Sequence, residues 1–233
     1  MDAREAKEKL MDAVRATSPL QTQRQYLGMS QIGRCPRLQY QWFMDGKVPD
    51  SDRMYLNAIS GYMYEAKVRE LLITAGVVVR NQYSQGPVGE CELVAPFDER
   101  FRGHTDGETR DGDLLEIKSF DREGFDDLID GQRLPDVYFD QVQAYLRYGR
   151  YDRALVIAVQ RGALDFWTLS VRRSDLVGAR VEEKAKRILA AIDRREPPPC
   201  ECGRCGQPPV ARQYEQRQRP RFIRDNRASS RRT

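Results

Sequence analysis

The chain of 233 residues is poor in histidine, tryptophan and long apolar runs. Its lone histidine, His104, excludes mechanisms that need two and speaks against Ser-His-Asp hydrolysis. The longest near-apolar run is Leu71–Val79, interrupted by Thr74 and Gly76, which is too short to span a bilayer. No membrane helix is therefore expected. The opening MDAREAKEKL is charged from its second residue, so no secretory leader is expected there. A reducing, cytoplasmic setting is implied, and in it disulfides are disfavoured. Internal repeats are lacking too. Hydrophobic residues make up 40%, enough for one sizeable core, which argues against disorder throughout.

Net charge is also small, +4, from 39 Lys and Arg against 35 Asp and Glu. That balance hides an asymmetry. Residues 206–233 hold eight arginines against Glu215 and Asp225, so the segment is +6 and residues 1–205 are −2. Such a tail either contacts nucleic acid or is a solvated disordered end.

Hydrophobic spacing predicts helices over 2–16, 35–44, 52–75, 136–148 and 175–194. In the first, Leu10, Met11 and Val14 share one side. Between them, Val77–Tyr83, Glu90–Val94, Arg102–Glu108 and Asp113–Ser119 read as consecutive strands of a meander. Arg153–Gln160 and Ala163–Ser170 read as two more. Helices, strands, a helix, strands and a helix make an α/β or α+β domain. Glu196-Pro-Pro-Pro199 is a stiff connector between the last helix and a cysteine-rich segment.

Gly103-His-Thr-Asp106-Gly107 precedes Leu114-Leu-Glu116-Ile117-Lys118-Ser119. Side chains alternate along a strand, so Glu116 and Lys118 share one face and Ile117 points away. A hairpin between the two segments would bring Asp106 to Glu116. Two carboxylates can hold a hard cation such as Mg²⁺ or Mn²⁺ through oxygen. Such an ion polarises a phosphate and acidifies a water, and a lysine beside it stabilises developing charge. Glu-x-Lys by itself carries little, since it occurs four times (Glu5/Lys7, Glu65/Lys67, Glu116/Lys118, Glu182/Lys184). Only the third copy lies on an apolar strand ten residues after a Gly-x-x-Asp. The alternative for it is a surface ion pair. Gln141 and Tyr145, four apart, share a helix face and can contact a phosphate or base. His104 lies two residues before Asp106, so either a site role or a structural one is open.

The five cysteines are Cys35, Cys91, Cys200, Cys202 and Cys205. The last three form Cys-x-Cys-x-x-Cys, one thiolate short of a closed metal site. Cys35, followed by Pro36, is the leading fourth candidate, and Cys91 reads as a small core residue.

Together these elements resemble the PD-(D/E)xK nuclease superfamily, in its RecB/AddB-like exonuclease branch. Gly61-Tyr-Met-Tyr-Glu65 matches the helix motif, with Glu65 where His is usual. Gly103/Asp106, Glu116/Lys118 and Gln141/Tyr145 come next in order, with Thr105 where a proline often precedes the aspartate. The resemblance covers roughly 30–205. It implies an α/β restriction-endonuclease-like core, a central mixed sheet flanked by helices, with N-terminal helices and a C-terminal segment bound through cysteines. It implies a single domain over 1–205, with a helical part (1–75), a nuclease core (76–195) and the cysteine cluster, followed by the tail.

In site terms, the resemblance implies Glu65, Asp106, Glu116 and the Ile117 carbonyl as metal ligands. It makes Lys118 catalytic and gives substrate to Gln141 and Tyr145. Cys35-Pro-Arg is similar to a segment of the iron–sulfur subgroup, which includes the CRISPR-associated exonuclease Cas-four family. There one early and three late cysteines hold a [4Fe–4S] cluster. Here Cys35, Cys200, Cys202 and Cys205 would do so, closing a loop of about 165 residues and stabilising by several kcal/mol. The compressed late spacing leaves zinc open, since tetrahedral Cys₄ also suits it.

The activity implied is hydrolysis of single-stranded DNA ends, 5′→3′, in recombination or CRISPR spacer acquisition, in a bacterial or phage-infected cell. A protein partner in a DNA-processing complex belongs to the same picture. Two alternatives are a non-catalytic DNA-binding or assembly subunit with a degenerate nuclease fold, and a zinc-ribbon-like adaptor. The adaptor leaves the 103–145 motifs unexplained.

Overall fold

The computed structural model describes residues 2–18, 25–46, 51–77, 91–203 and 205. Three helices come first: α1 (Ala3–Thr17), α2 (Pro36–Met44) and α3 (Asp52–Thr74). A two-residue strand, β1 (Leu27–Gly28), and a 3₁₀ turn at Met29–Gln31 lie between the first two. Next come β2 (Cys91–Val94), β3 (Phe101–Thr105), β4 (Gly107–Glu108), β5 (Leu114–Phe120), α4 (Arg122–Gly131) and α5 (Asp136–Gly149). The order closes with β6 (Arg153–Gln160), β7 (Phe166–Arg172) and α6 (Asp175–Arg194).

The strands form two sheets, not the single meander expected. One has the order β1-β3-β2 and the other β4-β5-β6-β7. The chain changes sheet at Asp106. Gly107 makes this possible, because its φ of +145° is open to glycine and strained for other residues. The expected strand over Val77–Tyr83 falls, beyond Val77, outside the described residues, as does the tail 206–233. The remaining predicted helices and strands lie within a few residues of the observed ones. Among the described residues α4 is the helix the periodicity did not single out. In α1, Leu10 is exposed rather than packed, and an Arg15–Asp52 ion pair at 2.9 Å ties that helix to α3.

In the second sheet β5 and β6 run parallel, with Glu116 beside Val156 and Lys118 beside Ala158. Parallel neighbours need a crossover, which α4 and α5 supply. β6 reads Arg-Ala-Leu-Val-Ile-Ala-Val-Gln, a near-continuous apolar run, because both of its faces are covered. On one face Leu114, Phe120, Ala154, Val156 and Ala158 join Val142 and Leu146 of α5 and Ile188 of α6. On the other, Leu115, Ile117, Ile157 and Val159 pack with Val68 of α3. Each large apolar side chain so buried is worth about 1.5–3 kcal/mol. The outcome is the α/β architecture expected, a mixed sheet between helices. Glu116 and Lys118 sit on its α5 side.

Candidate active site and thiol centre

β5 carries the site's two central side chains on an otherwise apolar strand. The β4–β5 hairpin pairs Gly107 with Leu115, which brings Asp106 level with Glu116 and Ile117. The Asp106 Oδ2 accepts the Ile117 backbone N–H at 2.5 Å. Glu116, 1% exposed, forms an ion pair with Lys118, and its Oε1 also accepts from Gln141 Nε2 at 2.5 Å. Its other oxygen, Oε2, is buried with no hydrogen-bond partner. A buried carboxylate oxygen without a partner costs on the order of 1–3 kcal/mol or more, so it marks a place where a cation would bind.

Electrostatics agree with the geometry. Burial pushes the Asp106 carboxyl above its ordinary range against the opposing charge of Lys118. Burial pushes Glu116 up to about 8, opposed by Lys118 and reinforced by Asp106. Lys118 is held charged: burial works against the ammonium, but Glu116 and Asp106 outweigh it. Its Nζ also stands 5.8 Å from the centre of the Tyr138 ring. Burial, followed by the nearby Glu116 charge, keeps Tyr145 a phenol. These groups feel one another as one unit, as in sites built to handle charge.

Gln141 and Tyr145 come from α5, which lies against this face. Both are buried, at 3% and 2% exposure. Gly103 has a definite reason to be glycine. A β-carbon there would fall 2.6 Å from Tyr145 Cε1 and 2.9 Å from Met29 Cβ. The Gly-x-x-Asp pattern thus joins two demands on one strand: room for the tyrosine ring, then the carboxylate.

The structure brings Asp106, Glu116, Lys118, Gln141 and Tyr145 together. Glu65 approaches from α3, near enough to raise Glu116 further. Its carboxylate is engaged by Arg69 at 2.6 Å. The charge of Arg69, whose side chain is 11% exposed, also reaches Asp106. Ile117 contributes its N–H to Asp106 while its side chain joins the apolar layer beneath. His104 is exposed on the outer face of β3, opposite Glu92, away from these groups. Sequence reasoning passed over Arg69 and Tyr138. The Glu65-x-x-x-Arg69 spacing on one helix face was the available signal for the first. Tyr138 carried none.

A second cluster lies where α2 meets the segment after α6. Cys35 caps α2, and α2 packs against α6. The pairs Cys200–Cys202, Cys202–Cys205 and Cys205–Cys35 are 3.7, 3.2 and 3.3 Å apart at sulfur. Amide N–H groups of Cys205 and Cys202 hold the Cys200 thiol down to about 6. Burial raises Cys35, but Cys205 and the amides of Glu201, Leu38 and Arg37 outweigh it. Burial pushes the Cys205 thiol up. The four sulfurs suit a metal centre as a set, and among the described residues they are the group of such ligands close enough to hold one ion. Cys91 lies on β2.

Fold and sites together define an α/β protein with an oxygen-lined acidic site in the sheet and a thiol centre joining the start of α2 to the segment after α6. No protein-family model and no curated protein matches the chain. Among solved structures it is similar to LHK-Exo in complex with dAMP, with a TM-score of 0.57 and 16% identity over 73% of this chain and 89% of that one. It is also similar to a second structure of that alkaline exonuclease, from Laribacter hongkongensis, with a TM-score of 0.55 at the same identity and coverage. The likeness is one of fold. No described helix is long and apolar enough to cross a membrane.

Proposed function

We propose that the protein is a Mg²⁺- or Mn²⁺-dependent deoxyribonuclease that removes nucleotides from DNA ends. The observation that carries the reading is the buried Asp106–Glu116–Lys118 group with the partnerless Glu116 Oε2. Its donors are hard oxygens, so the residues fit a hard divalent cation and not a soft one. Asp106, Glu116 and the Ile117 carbonyl would hold that cation, with Glu65 joining them on release from Arg69. When bound, the ion would polarise the scissile phosphate and acidify a water.

The chain's own groups have separate tasks. Gln141 fixes Glu116 through Oε1 and so leaves Oε2 for the ion. Asp106 is aimed by the Ile117 amide. Lys118 stays an ammonium and stabilises the negative charge that grows on the phosphate. Tyr145, buried against Gly103, is a positioning residue for Gln141 rather than a substrate contact. The resemblance to the RecB/AddB-like branch adds single-stranded ends, 5′→3′ polarity and a role in recombination or spacer acquisition in the cytoplasm. Residues 1–205 act as one domain in this reading. The +6 segment 206–233 adds sequence-independent affinity for phosphates.

End-labelled single- and double-stranded DNA, incubated with Mg²⁺ or Mn²⁺, tests the reading. Wild type shortens the label in either metal, and Lys118→Ala and Asp106→Ala do not. Equal digestion by the variants would remove these residues from the site. A wild type that binds DNA without cutting would make the protein a binding subunit. Removing 206–233 should flatten the salt dependence of binding by several counterions.

A further inference from the structure

The resemblance to the iron–sulfur subgroup implies a [4Fe–4S] cluster, and the thiol geometry does not fit it. A four-iron cluster places each thiolate on a different iron, which spreads the sulfurs to roughly 6 Å apart. All four sulfurs here lie within 4.8 Å of one another. Successive contacts run 3.2–3.7 Å. A tetrahedral zinc ion with bonds of about 2.3 Å needs sulfurs about 3.8 Å apart. The set meets that spacing with changes in separation of at most about one ångström, against more than one to nearly three for the wider cluster. Cys-x-Cys-x-x-Cys folds back on itself tightly enough to keep Cys200, Cys202 and Cys205 around one point. Spreading the three by several ångströms would pull Cys205 out of the packing that buries it.

We infer that Cys35, Cys200, Cys202 and Cys205 form a closed structural zinc site in place of an iron–sulfur cluster. Four thiolates complete the tetrahedron and leave no open position, so the ion takes no part in chemistry. Its work is to clamp the start of α2 to the chain leaving α6, across 170 positions. The site is therefore insensitive to electron transfer. The inference is independent of the nuclease reading, because it rests on sulfur spacing alone.

The test uses the full chain, produced in cells supplied with both iron and zinc and purified without oxygen. Elemental analysis should give about one zinc per chain and no stoichiometric iron, in colourless protein. Exchange with Co²⁺ should give the intense absorption of tetrahedral thiolate cobalt. Protein unfolded, stripped of metal and refolded should regain its native melting curve with zinc and not with ferrous iron and sulfide. Cys202→Ala should lower bound zinc at least tenfold; should it fail to fold, the wild-type analysis and the cobalt spectrum decide. About four irons per chain with brown colour, recovery by iron and sulfide, or no metal at all would overturn the inference. None of these readings uses DNA cleavage, so a catalytically silent protein leaves the result intact.

Discussion

Asp106, Glu116 and Lys118 lie between positions 106 and 118, on one hairpin whose register fixes their meeting. Cys35 stands 170 positions before Cys205, and only the packing of α2 on α6 brings them together. The first site is oxygen-lined and buried in the sheet, and its charges are incompletely satisfied. The second is sulfur-lined, with Cys202 exposed and Cys205 buried, and its ligands are saturated by one another and by amides. Burial without full compensation raises reactivity, while saturation at a surface gives a fastener. The two sites differ in the way that chemistry and stability generally do: one stores unfavourable electrostatics, the other closes a loop.

Four experiments put this contrast at risk. The largest effect falls on the acidic site. Lys118→Ala should lower kcat by on the order of a thousandfold, with zinc content and melting temperature nearly unchanged. Loss of zinc in that variant would mean that the sites are coupled, against their separate construction.

Next is the thiol centre. Cys35→Ser should destabilise by about 3–5 kcal/mol, a drop near 10 °C in Tm, by thermal unfolding. Below its melting point, the remaining folded protein should keep the proposed nuclease kcat within about threefold of wild type. A catalytic collapse at low temperature would give the thiols a share in the chemistry.

Gly103→Ala should cost about 1–3 kcal/mol, since the new methyl must displace the Tyr145 ring or Met29. Its signature is a fall in kcat with little change in KM, because the ring shift moves Gln141 and hence Glu116. Denaturant unfolding beside steady-state kinetics separates the two effects. A stable variant with full activity would show that Tyr145 does not support the site.

The smallest effect lies outside both sites. Arg100 bridges Asp98 at 2.7 Å and Asp193 at 2.6 Å, joining the β2–β3 turn to α6. Hydrogen bonding to Arg100 holds both carboxyls below their ordinary range. A carboxyl depressed on folding stabilises above its unfolded pKa, about 4, and loses that contribution as pH falls through its folded value. Arg100→Met should therefore cost under about 1 kcal/mol through the Asp98 pair at pH 7 and progressively less as pH falls below about 4. Unfolding curves across that pH range check the sign. A larger cost at low pH would assign Arg100 a packing role instead.

Much of the acidic site was legible because its logic is local. Alternation put Glu116 and Lys118 on one face, and a glycine-flanked aspartate ten residues earlier foretold the hairpin. The four cysteines were legible as a set from residue type and number. The sheet change at Gly107 was not, because a break between two sheets and a turn within one meander use the same residues. Arg69 was hidden for another reason. Glu65 and Arg69 look like any solvated i,i+4 pair until the sheet buries them. The identity of the thiol-bound ion also stayed open, since four sulfurs in sequence specify softness and not spacing.

Residue order alone sets the parts: side-chain chemistry, strand and helix periods, hairpin register and the asymmetry between a −2 body and a +6 tail. Those depend on near neighbours along the chain, where local geometry acts. Packing in three dimensions settles which parts meet and how much water each retains. Only there does Glu116 lose its solvent and gain Gln141, and only there do Cys35 and Cys205 come within 3.3 Å. Distances between residues far apart in sequence, and the desolvation that shifts their charges, depend on the packed whole.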